Sequence, residues 1–267
     1  MDQLQNIITM LVDEIKERRY ILGIKPERVY GLMFKTVLHA LSQAYFPEVE
    51  SNFLLVALAD HIKTLISSMN LLIRRKVAKL SVYLKSVMDF MERTRDLREP
   101  LYIILCDSLS LPEYMFLLYA FHRFVSAEKA FCAVNPSGKT ATFKYLAKEY
   151  LGIEMLPSST EVTMRNISEG LRKKLGASGA SIFRDIDMLI HYGGEYKEID
   201  DMISILFKIT NKLCIEVKNW LNNKYKVLIL ADHGYDVLRN KNVWTLTHKW
   251  EKEKLCISPF IPILMMG

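Results

Sequence analysis

Apolar residues in the first 96 positions recur at helical spacing, and after Pro100 they gather into short unbroken runs. Residues 2–21 place Ile7, Ile8, Leu11, Ile15 and Tyr20 roughly on one helical face. A second helix is predicted from about Pro26 to Tyr45, with the proline near a favoured first-turn position. Pro47 interrupts the pattern. Ser51 or Asn52 can cap a third helical stretch, predicted to continue to about Arg95 with a break near Ser67 to Asn70. The absence of glycine between Gly31 and Gly138 suits long helices.

The runs after Pro100 are LYIILCD (101–107), KAFCAV (129–134) and YKVLILAD (225–232). Continuous apolar runs of this length, separated by helical stretches, predict buried parallel strands. The helical stretches between them are 113–125, 140–150, 160–175 and 196–222. Alternation of this kind implies an α/β fold with a parallel or mixed sheet covered by helices. Ligands of such sheets bind beyond the C-terminal strand ends. The expected organisation is a helical N-terminal region (1–97), either a docking or oligomerisation module or extra core, followed by a compact α/β domain (98–267).

Composition changes this picture little. Half of the 267 residues are apolar and a quarter are charged, an ordinary globular balance. A net charge of +6 fits an anionic ligand such as a nucleotide, nucleic acid or acidic membrane, and equally a basic protein without special partners. The stretch Arg74, Arg75, Lys76 and Lys79 reads as a solvated helix face or a nucleic-acid contact. Cys106, Cys132, Cys214 and Cys256 form no close pair and read as reduced core thiols. The amphipathic, acid-bearing start lacks the order of a signal peptide, and no uncharged apolar run reaches the ~18 residues of a membrane span. A cytoplasmic protein that does not enter a membrane is expected.

Two of the three apolar runs end in aspartate, Asp107 and Asp232, and His233 and Gly234 follow the second. Either aspartate alone reads as a cap or turn residue. Asp187 and His191, spaced i,i+4 in SIFRDIDMLIHYGGEY, can meet one divalent ion or form a plain helix-surface pair. His248 alone reads as a surface or satisfied core histidine. His39, His61 and His122 lie in helical stretches and are taken as structural.

In AVNPSGKTATFKYLAKEYLG a strand, a short Pro/Gly turn and a helix place Thr140 at a helix N-terminus, where backbone N–H groups favour phosphate. Residues 133–140 match a relaxed P-loop in which Lys139 binds phosphate, Thr140 binds magnesium and Asp107 or Asp232 is the neighbouring acid. Alternatively Thr140 is a metal-activated nucleophile, or Ser137 and Thr140 merely cap the helix.

Taken in order, Asp107, Thr140, Asp187-x-x-x-His191, Asp232-His233 and His248 resemble the alkaline phosphatase superfamily. The phrasing CDSLSLPEY, NPSGKTATFKYL and ILADHGYDV looks most like PglZ-domain proteins, which are associated with phage defence and bacterial signalling. The resemblance covers roughly residues 100–250 and leaves the first ~96 without a counterpart. It implies an alkaline-phosphatase-like sheet and two divalent metal ions, zinc or manganese. One would be held by Asp187, His191 and His248, and the other by Asp107, Asp232 and His233. Thr140 would lie between them as nucleophile, with Lys139 and Asn135 on the phosphate oxygens. The implied activity is that of a phosphohydrolase or phosphodiesterase acting on a phosphate ester, with nucleotides and nucleic acid among the candidates. A catalytically inactive form, working through a protein partner or as a homo-oligomer by its N-terminal helices, is the main alternative. A P-loop NTPase is the third, and it leaves Asp187, His191, His233 and His248 without a role.

Overall fold

A computed structural model of the chain describes residues 10, 13, 25–42, 44–74, 100–125, 130–134, 140, 141, 143, 144, 163–248 and 260–266. The predicted helix over 2–21 and the stretch from 75 to Arg95 lie outside the described residues, except Met10 and Asp13. So do Asn135, Lys139, Arg75, Lys76 and Lys79, and most of the helix predicted over 140–150.

The described chain begins with three helices, α1 (Pro26–Ser42), α2 (Pro47–Glu50) and α3 (Phe53–Arg74). The break predicted near Ser67 to Asn70 is absent, because α3 runs through it. Thr64 and Ser68 turn their hydroxyls, and Asn70 its amide, back onto carbonyls four residues earlier. Those bonds absorb the polar side chains that suggested a break.

Then come β1 (Leu101–Cys106), α4 (Leu111–Ala120), β2 (Ala130–Val134), α5 (Met164–Leu175), β3 (Gly179–Phe183), α6 (Asp185–Tyr192), α7 (Ile199–Asn222) and β4 (Lys226–Ala231). The chain closes with a hairpin, β5 (Asp236–Asn240) and β6 (Val243–Thr247), and with β7 (Phe260–Met266). The main sheet runs β2-β7-β4-β1-β3. β1 lies parallel to both β3 and β4, and β7 is antiparallel to β2 and β4. The fold is therefore α/β with a mixed sheet flanked by helices.

The three predicted apolar runs are all strands of this sheet. β3 and β7 were not foreseen. GASIF opens on glycine and contains serine, so it is no unbroken apolar run, and β7 carries Pro262, which argues against a central strand. The pairing of β7 with β4 stops at Ile263, so Pro262 lies just past that ladder.

Helix α5 starts at a Thr163–Asn166 capping box and stops at Gly176, whose φ of 59° suits a left-handed C-cap. It packs on β1 and β3, while α7 packs on β4 and α4 on β7. Helix α4 is apolar nearly all round and buried along its length, as a central helix must be. Helix α1 packs against α4 and α7 through an aromatic cluster. Tyr30 meets Phe116 edge-on at 5.5 Å, and Phe207 lies within 5.9 Å of both rings. The N-terminal helices thus share one buried core with the sheet. Among the described residues, no helix is long and apolar enough to cross a membrane.

At the start of β3, a Cβ on Gly179 would lie 2.6 Å from the Tyr102 ring. That ring stacks on Trp220 at 3.7 Å, a contact it would have to give up to move aside. Gly179→Ala is therefore expected to destabilise the protein by about 1–3 kcal/mol, the usual range for overpacking. A denaturant melt of the variant measures it, and an unchanged midpoint would contradict this packing.

Candidate metal centre

The strand ends carry the site. Because β1 and β4 are paired in register, with Cys106 opposite Ala231, the residues that follow them, Asp107 and Asp232, are neighbours at the C-terminal edge. Backbone bonds continue past the strands, from the Asp107 amide to the Phe183 carbonyl (2.8 Å) and from the Asp232 amide to the Cys106 carbonyl (3.3 Å). Both carboxylates are thereby placed by rigid backbone.

Asp232 Oδ1 accepts the amides of His233 (2.8 Å) and Ser108 (3.2 Å). His233 Nδ1 lies 2.8 Å from the Gly234 carbonyl, which only an N–H can satisfy, so the neutral imidazole, the form that binds metal, carries its lone pair on Nε2. That nitrogen lies 3.3 Å from Asp232 Oδ2, 4.0 Å from Asp107 Oδ1 and 2.7 Å from Thr140 Oγ1, which donates to it. All three side chains of this triad are buried. Asp107 Oδ1 has no hydrogen-bond partner among the described residues.

The second triad is more open. Asp187 and His191 sit one turn apart on α6, and His248 directly follows β6. Paired amides and carbonyls of Tyr196 and Trp244, at 2.9 and 2.7 Å, tie that hairpin to the chain after α6. Asp187 Oδ1 lies 3.1 Å from His248 Nε2 and 3.4 Å from His191 Nε2. The His248 ring stands 4.8 Å from the His233 ring and 5.5 Å from the His191 ring, so the two triads adjoin.

Both groups suit a divalent ion. Four-coordinate zinc with bonds near 2.0–2.2 Å sets neighbouring ligand atoms about 3.3–3.6 Å apart. The recorded separations run from 3.1 to 4.0 Å, and within each triad the candidate ligand atoms lie within 4.8 Å of one another. A buried pair of carboxylates is also stabilised by a cation, or by a proton on one of them, that offsets the charge burial disfavours. Burial, then the charges of Asp232 and Asp187, push Asp107 up to about 7, against an opposing pull from Arg184 and His248. Burial raises Asp187 too, but the His248 hydrogen bond, the charges of His191 and His248 and the Ser108 hydroxyl outweigh it and leave this carboxyl below its usual range.

The Asp107 shift sets a sign. Metal-free folded protein holds a proton on Asp107 that the unfolded chain has released above its ordinary value of 3.8. The contribution of Asp107 is fully present below that value and is lost as pH rises through about 7. Chelator-treated protein should therefore melt at lower temperature at pH 8 than at pH 5, and the Asp107→Asn variant should have less of this slope. Equal slopes would contradict the shift.

Ser108 was not anticipated. It adopts φ 73°, a left-handed conformation uncommon for a non-glycine residue. Its amide holds Asp232 and its hydroxyl holds Asp187 at 3.3 Å, so it links the triads. Nothing in the phrase CDSLS separates it from an ordinary turn serine. The histidines taken as structural bond to nearby carbonyls, His39 to Ala44, His61 to Ala57 and His122 to Tyr119. Residues 135–139, which include Asn135 and Lys139, the expected contacts to phosphate, lie outside the described residues. No protein-family model matches the chain, and no curated protein matches it.

Proposed function

We propose that the two triads hold a pair of divalent cations and that the chain hydrolyses a phosphate ester with Thr140 as nucleophile. The observation that carries this is the convergence of Thr140 Oγ1 and the carboxylates of Asp107 and Asp232 on the bare nitrogen of His233. A threonine that merely caps its helix has no reason to face an imidazole 93 residues away. The order of these residues along the chain, which resembles that of the alkaline phosphatase superfamily and of PglZ-domain proteins, supports the same reading.

Asp107, Asp232 and His233 hold one ion, and Asp187, His191 and His248 the other. Zinc suits the mixed nitrogen and oxygen ligands, and manganese is the second choice. Bound there, the cations supply Lewis acidity that stabilises charge on the phosphoryl oxygens and favours the ionised threonine. Thr140 Oγ attacks phosphorus, the ester O–P bond breaks, and the threonine proton ends on the departing alcohol. Water then cleaves the phosphothreonine and restores the hydroxyl. The net positive charge of +6 favours an anionic substrate such as a nucleotide or nucleic acid.

Metal analysis of the native protein, paired with turnover of an aryl phosphomonoester and an aryl phosphodiester, tests the proposal. Zinc or manganese near two equivalents with turnover of either ester is expected. Metal-free protein with no turnover would leave the inactive interaction protein as the better reading.

A further inference from the structure

Glu113 is a fully buried carboxylate in α4 that the proposed chemistry does not use. Its Oε1 accepts the hydroxyls of Tyr30 (2.5 Å) and Tyr235 (2.6 Å), and its Oε2 accepts the Ser110 amide (3.1 Å). The three donors come from α1, from the loop after β4 and from the loop after β1. Those loops are also tied directly, by Ser110 Oγ donating to the Tyr235 carbonyl at 3.2 Å.

These are the loops that carry the buried triad. Tyr235 stands two residues beyond His233, and Ser110 two beyond Ser108, whose amide holds Asp232. A capping box explains the bond from Oε2 to the Ser110 amide. It does not explain why two tyrosine hydroxyls, one of them from α1, converge on the other oxygen. Resting on the metal reading above, we infer that Glu113 is the positioning residue of the buried triad, locking the two strand-end loops at the separation that Asp107, Asp232 and His233 need and joining them to α1.

Chemistry makes the carboxylate hard to replace. Three donors face it, and a glutamine presents only one acceptor oxygen beside an NH2 group that can only donate. In Glu113→Gln an amide nitrogen turned to Ser110 opposes its N–H, and one turned to the tyrosines donates to their oxygens and leaves two hydroxyl protons without this acceptor, so one loop loses its tie either way. Partners bonded directly to metal ligands typically contribute about 10–100-fold to metal affinity, and Glu113, which acts through the loops and not on a ligand, is expected at the low end of that range.

The test measures zinc affinity by chelator competition in a His191→Ala background, where only the buried triad keeps all its ligands. Glu113→Gln should weaken zinc by about tenfold, the low end of what partners of metal ligands contribute. Tyr30→Phe, which keeps the ring and removes one hydroxyl, should weaken it less but in the same direction. Both are measured well below the melting temperature, with circular dichroism showing folded protein. A purely structural role lowers the melting temperature and leaves zinc affinity alone, and that result in Glu113→Gln overturns the inference. Should Glu113→Gln fail to fold, unchanged affinity in Tyr30→Phe overturns it equally. A parent protein that takes up no zinc overturns the metal reading and this inference together. A parent that binds zinc no better than its variants overturns this inference alone.

Discussion

Thr140→Ala should lower the turnover of an aryl phosphate ester by about 10⁴-fold or more while leaving both ions bound, and Thr140→Ser should keep much of the activity. Removing a nucleophile takes away the covalent route, leaving only what binding and electrostatic stabilisation contribute. Metal should survive because the buried triad keeps its three ligands from β1 and β4, whose placement does not depend on Thr140. What the variant loses is the oxygen 2.7 Å from His233 Nε2. Stopped-flow turnover and metal analysis on the same preparation separate the two effects. Activity retained in the alanine variant would remove Thr140 from the mechanism. Loss of metal along with activity would recast it as a ligand.

Asp232→Ala should have the largest effect on the protein itself. The carboxylate is fully buried and accepts two backbone amides, those of Ser108 and His233, through one oxygen. Without it both N–H groups are left unsatisfied, at roughly 1–3 kcal/mol each. Part is offset, because Asp232 also repels Asp107 across the strand pair and its removal relieves that. A net loss of about 2–4 kcal/mol is expected, lowering the melting midpoint of chelator-treated protein by about 5–15 °C for a chain of this size. The variant should also bind one ion fewer. A stable variant that still holds both ions would show that Asp232 serves neither role.

Much of the α/β portion was legible from pattern alone. LYIILC, AFCAV and KVLILA became β1, β2 and β4 because unbroken apolar runs of this length suit strands of a helix-covered sheet, as the burial of β1 and β4 shows. Helices α5 and α7 were foreseen within a few residues, since an amphipathic face repeats at a period that a sequence records. β3, β7 and the hairpin were not, because GASIF and the hairpin strands DVLRN and VWTLT lack an unbroken apolar run and FIPILMM contains a proline. Their strand character comes from their neighbours: β3 is held by β1, and β7 lies between β2 and β4. A local pattern cannot announce a partner supplied from elsewhere.

The site divides in the same way. By itself the sequence determined the residue types and the strand-end positions of Asp107 and Asp232-His233. It also determined the i,i+4 spacing of Asp187 and His191, because backbone periodicity and strand termination are local properties. The resemblance grouped His248 with Asp187, and the tertiary structure brings them to 3.1 Å; it alone decided that Ser108 ties the triads and that a buried glutamate binds α1 to both strand-end loops. Those contacts join residues 61 to 124 positions apart. They exist because the parallel register of β1 and β4 brings two distant chain segments to one edge, and the hairpin beside α6 brings a third.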